Sequence, residues 1–188
     1  MKNYNYKNKL PKIVLLIVTY VSFVFSTSSF GQDAAKLNIG DNAPALVLTS
    51  TNNSIQSFTF PNHNKVYLLF FWSTSVSKST ENIYRYKRLF SKYADIGYKN
   101  CDGFDMISVA LQSDKVSWEN AIKEYDLSNI NNCIAQKGYN DFFIKNYKLT
   151  TTPSSFLIDE YGKIVAINPP LKTIIDYLDD KRNSQLSV

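Results

Sequence analysis

Between Lys65 and Trp72 the chain reads KVYLLFFW, apolar on both alternations, and this pattern predicts a strand covered on both faces, as in a parallel sheet. The period then changes. Ile83, Tyr86, Phe90 and Tyr93 recur at spacings of three and four, which predicts a helix lying along the sheet with Arg85, Lys87 and Lys92 outside. YKNCDGFDMISVAL predicts a loop and a second buried strand, and SDKVSWENAIKEYDL a second amphipathic helix with Trp118, Ala121, Ile122 and Tyr125 inward.

The flanks complete the pattern. LNIGDNAPALVLTSTNNSIQSFTF predicts a loop and a hairpin, with TNNS turning between two short alternating strands. Downstream, INNCIA predicts a short edge strand and YNDFFIKNYKL a short helix. TTTPSSFLIDEYGKIVAIN predicts two strands around an Asp-Glu-Tyr-Gly turn. LKTIIDYLDD closes the chain as a helix with Leu171, Ile174, Ile175 and Leu178 on one face. Alternating strands and helices, then a hairpin and a last helix, indicate a three-layer α/β sandwich with a mixed sheet.

The first residues have a different character. MKNYNYKNKLPK carries Lys2, Lys7, Lys9 and Lys12 with no acid, IVLLIVTYVSFVF is uncharged and apolar, and STSSFG offers small residues for cleavage after Gly31. The apolar run is shorter than the roughly 17 residues a membrane span needs. The expectation is an export signal over residues 1–31 and one domain over 32–188, in a periplasmic protein of a Gram-negative bacterium or a secreted one. Removing the signal leaves 17 basic side chains against 16 acidic ones, a net charge of +1. The basic character is thus mainly a targeting feature, and no nucleic-acid partner is expected, since that would want a basic face on the domain itself.

Chemistry-bearing residues are few. His63 is the single histidine, in a polar PNHN loop, so neither a histidine metal cluster nor a Ser/His nucleophile pair has material, and no metal or cofactor is expected. Two cysteines remain, Cys101 and Cys133. In an oxidising compartment they are either a stabilising disulfide or two buried thiols.

Three separated segments carry a resemblance. IGDNAPALVL, VYLLFFWST and TTPSSFLIDEYGKIV together resemble thioredoxin-fold redoxins, the exported TlpA-like thiol-disulfide oxidoreductases and the alkyl hydroperoxide reductase/thiol-specific antioxidant group. The resemblance implies a thioredoxin-like sandwich: a mixed central sheet flanked by helices, an N-terminal hairpin, and an extra helix-strand insertion before a cis-proline segment at Thr152-Pro153.

Carried over by position, the family's CxxC falls on Val76 and Ser79, and the peroxidatic cysteine on Val76. Thiol-disulfide exchange needs a sulfur that ionises near neutral pH, and valine has nothing to ionise. Ser79 reads instead as an N-cap of the helix that follows. The implied groove is formed by Trp72, Ser75, Val76, Ser77, Lys78, Thr152 and Pro153, with Trp72 either lining it or packed in the core. Pro153 either presents the backbone of Thr152 to an extended peptide or protein partner or simply shapes the turn. The expected protein is a binding or scaffolding module without catalysis. The alternative is an oxidoreductase or antioxidant enzyme that uses Cys101 and Cys133.

Overall fold

The computed structural model describes residues 36–61, 64–98 and 101–183; the expected signal at 1–31 and His63 lie outside them. A seven-stranded sheet is built from β1 (Leu46–Ser50), β2 (Ile55–Phe58), β3 (Lys65–Trp72), β4 (Gly103–Ala110), β5 (Asn131–Ile134), β6 (Ser154–Ile158) and β7 (Ile164–Ile167). Its order is β2-β1-β5-β4-β3-β6-β7. The parallel trio β5-β4-β3 forms the centre, with β1 antiparallel to β5 on one side and β6 antiparallel to β3 on the other.

β5 is therefore interior, whereas its short polar sequence predicts an edge. The N-terminal hairpin adds itself outside β5 through Thr49↔Ile134 and Ser50↔Cys133, which gives Cys133 a neighbour on both sides.

The double coverage of β3 is visible in its parity. Val66, Leu68, Phe70 and Trp72 face one apolar cluster, together with Ile83 and Phe90 of α1 (Ser77–Tyr93), Trp118 of α2 (Lys115–Glu124) and Ile174 of α4 (Leu171–Asn183). Tyr67, Leu69 and Phe71 face the other, with Ile144 of α3 (Phe142–Lys145), Tyr147 and the hairpin residues Leu46 and Leu48. Burying each large apolar side chain in this way contributes about 1.5–3 kcal/mol. Two successive parallel crossovers in the same direction put α1 and α2 on one face, as right-handed connections require.

The β6–β7 turn fixes the far side of the sheet. Asp159 Oδ1 accepts from the backbone N–H groups of Tyr161 and Lys163 at 3.0 and 2.8 Å. Gly162 has φ +80°, and a Cβ there would stand 2.6 Å from the backbone nitrogen of Pro61. Only glycine meets both demands. Glu160 in the same turn is 4 % exposed and accepts from Lys181 Nζ on both oxygens at 2.7 and 2.6 Å, tying the hairpin to α4. The leading loop pairs along the same strand, through Gly40 N–H to Ile164 O at 2.8 Å and Ile164 N–H to Asp41 O at 2.9 Å. Among the described residues no helix is long and apolar enough to cross a membrane.

Candidate functional site

β3 ends at Trp72 and α1 begins at Ser77, because Val76 between them is extended, with φ −113° and ψ 108°. Val76 is the N-cap, and no side chain caps the first turn. The loop is held by its hydroxyls and by β4's exit: Thr74 donates from both N–H and Oγ1 to Gln112 Oε1, at 2.9 and 3.1 Å, and Ser73 and Ser75 share a hydroxyl bond of 2.9 Å.

Ser79 is not the N-cap. It is the third residue of α1, fully buried, and its Oγ accepts from the backbone N–H of Ser73 at 3.3 Å. The helix starts two residues before Ser79, since Ser77 and Lys78 already take helical geometry. Trp72 belongs to the core: it has no exposed surface, and its Nε1–H donates to Ser108 Oγ at 2.8 Å beneath α1.

The second wall comes from the start of β6. The Thr152–Pro153 peptide is cis. Ser154 Oγ donates to Thr151 O at 2.7 Å, and the hydroxyls of Thr152 and Tyr139 are hydrogen-bonded to each other. Ser155 and Asn168 are joined twice: Ser155 N–H donates to Asn168 Oδ1 at 2.8 Å, and Asn168 N–H to Ser155 O at 2.7 Å. Among the described residues the backbone N–H and C=O of Thr152 have no hydrogen-bond partner. Behind this wall Tyr86 and Ser155 share a hydroxyl contact of 3.3 Å, and burial raises the Tyr86 phenol above its ordinary value.

A cleft of about 550 Å3 separates the two walls. Of the expected groove residues, Lys78, Thr152 and Pro153 line it. Ser75 and Ser77 are exposed beside it and Val76 is half-buried, and none of these three is on its lining. Asn82, Arg85 and Asn168 are lining residues that sequence reasoning missed. For the first two the signal was available, since Lys78, Asn82 and Arg85 stand at i, i+4 and i+7 on one side of α1.

Cys101 and Cys133 are free thiols, both buried. They do not form the candidate disulfide, because they lie in the apolar clusters on opposite faces of the sheet. They are also near opposite ends of β4: Cys133 pairs with Val109, whereas Cys101 precedes Gly103, about 20 Å back along the strand. Cys133 shares a cross-strand row with Val109, Phe71 and Ser154. It is thus about 14 Å from β6, three strand spacings away. Neither thiol reaches the cleft. Burial pushes the Cys133 thiol up to about 12, and burial likewise raises Cys101. Among the described residues no group of three or more His, Cys, Asp or Glu side chains is placed to hold a metal ion.

The fold occurs in proteins already known. A family model described as Thioredoxin-like matches residues 64–164, from β3 through the start of β7. The chain is 29% identical over 163 residues to the thiol-disulfide oxidoreductase ResA of Bacillus cereus, covering 85% of this chain and 87% of the relative. It is 27% identical over 154 residues to ResA of Bacillus thuringiensis subsp. konkukian, covering 81% and 82%. Among solved structures it is similar to a thiol-disulfide oxidoreductase from Bacteroides fragilis, with 26% identity, a TM-score of 0.63, and coverage of 74% of this chain and 98% of that one. It is also similar to the thioredoxin domain of a thiol-disulfide oxidoreductase from Bacteroides vulgatus, with 23% identity, a TM-score of 0.61, and coverage of 79% and 100%. With β3, α1, β4, β6 and the turn into β7 inside the matched stretch, this chain belongs to the thioredoxin-like family.

Proposed function

We propose that this is an exported thioredoxin-like protein that does not perform thiol-disulfide exchange and acts as a binding or scaffolding module through the cleft beside Thr152 and Pro153. One observation carries the reading: Val76 occupies the N-cap of α1, the position where the resemblance implies a reactive cysteine. A helix N-terminus favours a thiolate, and there is none at this end for it to favour. The two thiols the chain does possess are buried, raised above their ordinary range, and remote from the cleft. Export rests on the basic, apolar and small-residue order of positions 1–31.

The test is turnover. The protein expressed from the full chain is assayed for reduction of insulin disulfides with dithiothreitol and for peroxide consumption with a reductant. The expected rate is the uncatalysed one in both. Turnover that disappears on Cys101→Ser or Cys133→Ser defeats the proposal.

A further inference from the structure

The charges on the cleft are of one sign. Lys78 and Arg85 line it from α1 with Asn82 between them, and no carboxylate is on its lining. α1 holds five basic side chains against Glu81 alone, a net +4, while residues 32–188 sum to +1; the rest of that stretch is therefore −3. The positive charge is gathered on this helix, and two of its five basic side chains, Lys78 and Arg85, face the cleft, while Lys87, Arg88 and Lys92 lie elsewhere on it. Arg85 is paired with Glu81, but both partners are more than half exposed, at 56% and 58%. Such a pair is weak and its arginine exchanges readily to another carboxylate.

The opposite wall offers backbone. The N–H and C=O of Thr152 have no partner among the described residues, and β6 leads on from Ser154 as regular strand. β6 itself is paired on both sides by β3 and β7, so the free groups are the N–H and C=O of Thr152 alone; such groups recognise an extended chain, and side chains flanking them select the sequence. Lys78 and Arg85 are seven residues apart on α1, about 10 Å, which matches about three residues of extended chain. Both are long and flexible, so acidic groups two or four positions apart on one side of an extended segment come within reach of both.

We infer that the cleft between α1 and Thr152 binds an acidic polypeptide segment in extended conformation, its backbone on Thr152 and its carboxylates on Lys78 and Arg85. The inference deepens the reading of the cleft as a docking site and rests on it. A peptide fits better than a polyanion without amides because only a peptide uses the free backbone of Thr152.

The test is a fluorescence anisotropy titration of the protein with a labelled dodecapeptide of alternating Glu and Thr, beside the same peptide with Gln for Glu. The acidic peptide is expected to bind at least ten-fold more tightly than the Gln peptide, and to weaken at least ten-fold between 50 and 500 mM NaCl. The Lys78→Gln/Arg85→Gln double variant is expected to remove most of that preference. Lys87→Gln/Arg88→Gln, elsewhere on α1, is expected to change affinity less than two-fold. Equal binding of the two peptides overturns the acidic preference while leaving the docking reading standing, and absence of turnover is measured separately. No binding of either peptide up to millimolar concentration, equal loss from both double variants, or full competition by single-stranded DNA or anionic lipid vesicles each overturns the inference. The peptide and salt comparisons use the unaltered protein, so the outcome does not hang on how a variant folds.

Discussion

Val76 and Ser79 stand one turn apart at the start of α1, Val76 as its half-buried N-cap and Ser79 fully buried with its hydroxyl accepting the N–H of Ser73. One position thus faces outward at the positive end of a helix of 17 residues while the other faces the core.

Introducing sulfur at both places tests whether this is a redox frame without its reacting atoms. Val76→Cys with Ser79→Cys is expected to give a disulfide across the first turn, and on reduction a first thiol ionising below about 7.5, lowered from about 8.5 by the helix N-terminus. The pH dependence of alkylation at position 76 measures it. An ordinary thiol there would show that α1 does not act on the position.

The native thiols are expected to be silent. In folded protein at pH 7, neither Cys101 nor Cys133 is modified by iodoacetamide within an hour; in denaturant without reductant both are. Intact-mass spectrometry counts the adducts. A single modified thiol, or none, in the denatured sample would contradict their burial on opposite faces as free thiols.

The Glu160–Lys181 pair makes a stability prediction with a sign. Removing Lys181 strands a carboxylate that is 4 % exposed, so Lys181→Met is expected to destabilise by about 3 kcal/mol in urea denaturation at pH 7. Burial alone would lower the lysine, yet Glu160 and Tyr177 outweigh that and hold it above 10.5. A raised lysine contributes stability that is complete below 10.5 and is lost as pH rises through the folded value. Buried Tyr67 and half-buried Tyr177, pushed up to about 12 chiefly by desolvation, act in the same direction above pH 10. Melting temperature is therefore expected to fall between about pH 10 and 12, less steeply in Lys181→Met, which has one proton fewer to lose.

Gly162→Ala is expected to cost at least about 2 kcal/mol, from a left-handed φ and a Cβ driven against the Phe60–Pro61 backbone. Chemical denaturation reads this directly. A loss under about 0.5 kcal/mol would mean that the turn relaxes freely.

Much of this architecture was legible because its elements are long and strongly patterned. β3, β4 and α1 follow from unbroken apolar runs and a clean three-four spacing, and the β6–β7 turn from Asp159 and Gly162. The misreadings have physical causes. β5 is four residues long and half polar, so nothing local reveals that β1 will pair outside it. The loop after β3 offers hydroxyls at Ser73, Thr74, Ser75, Ser77, Ser79 and Thr80, and sequence cannot choose which residue opens the helix. A strand buried on both faces gives no cue to which side Trp72 takes. Glu160 reads only as a turn residue, and nothing local shows its burial, because its partner, Lys181, is 21 positions away on the last helix. Likewise the cysteine pair became decidable only when strand register fixed the face of Cys133.

The contact between the leading loop and β7 has a bearing on self-association. Sheets invite growth wherever a border strand leaves its amides bare. Here the outward amide and carbonyl of Ile164 are already taken by Gly40 and Asp41, and Ala43 N–H reaches Gly162 O at 2.9 Å. The molecule thus carries its own guard along that margin, and a neighbouring copy trying to add a strand there would first have to strip residues 40–43 away.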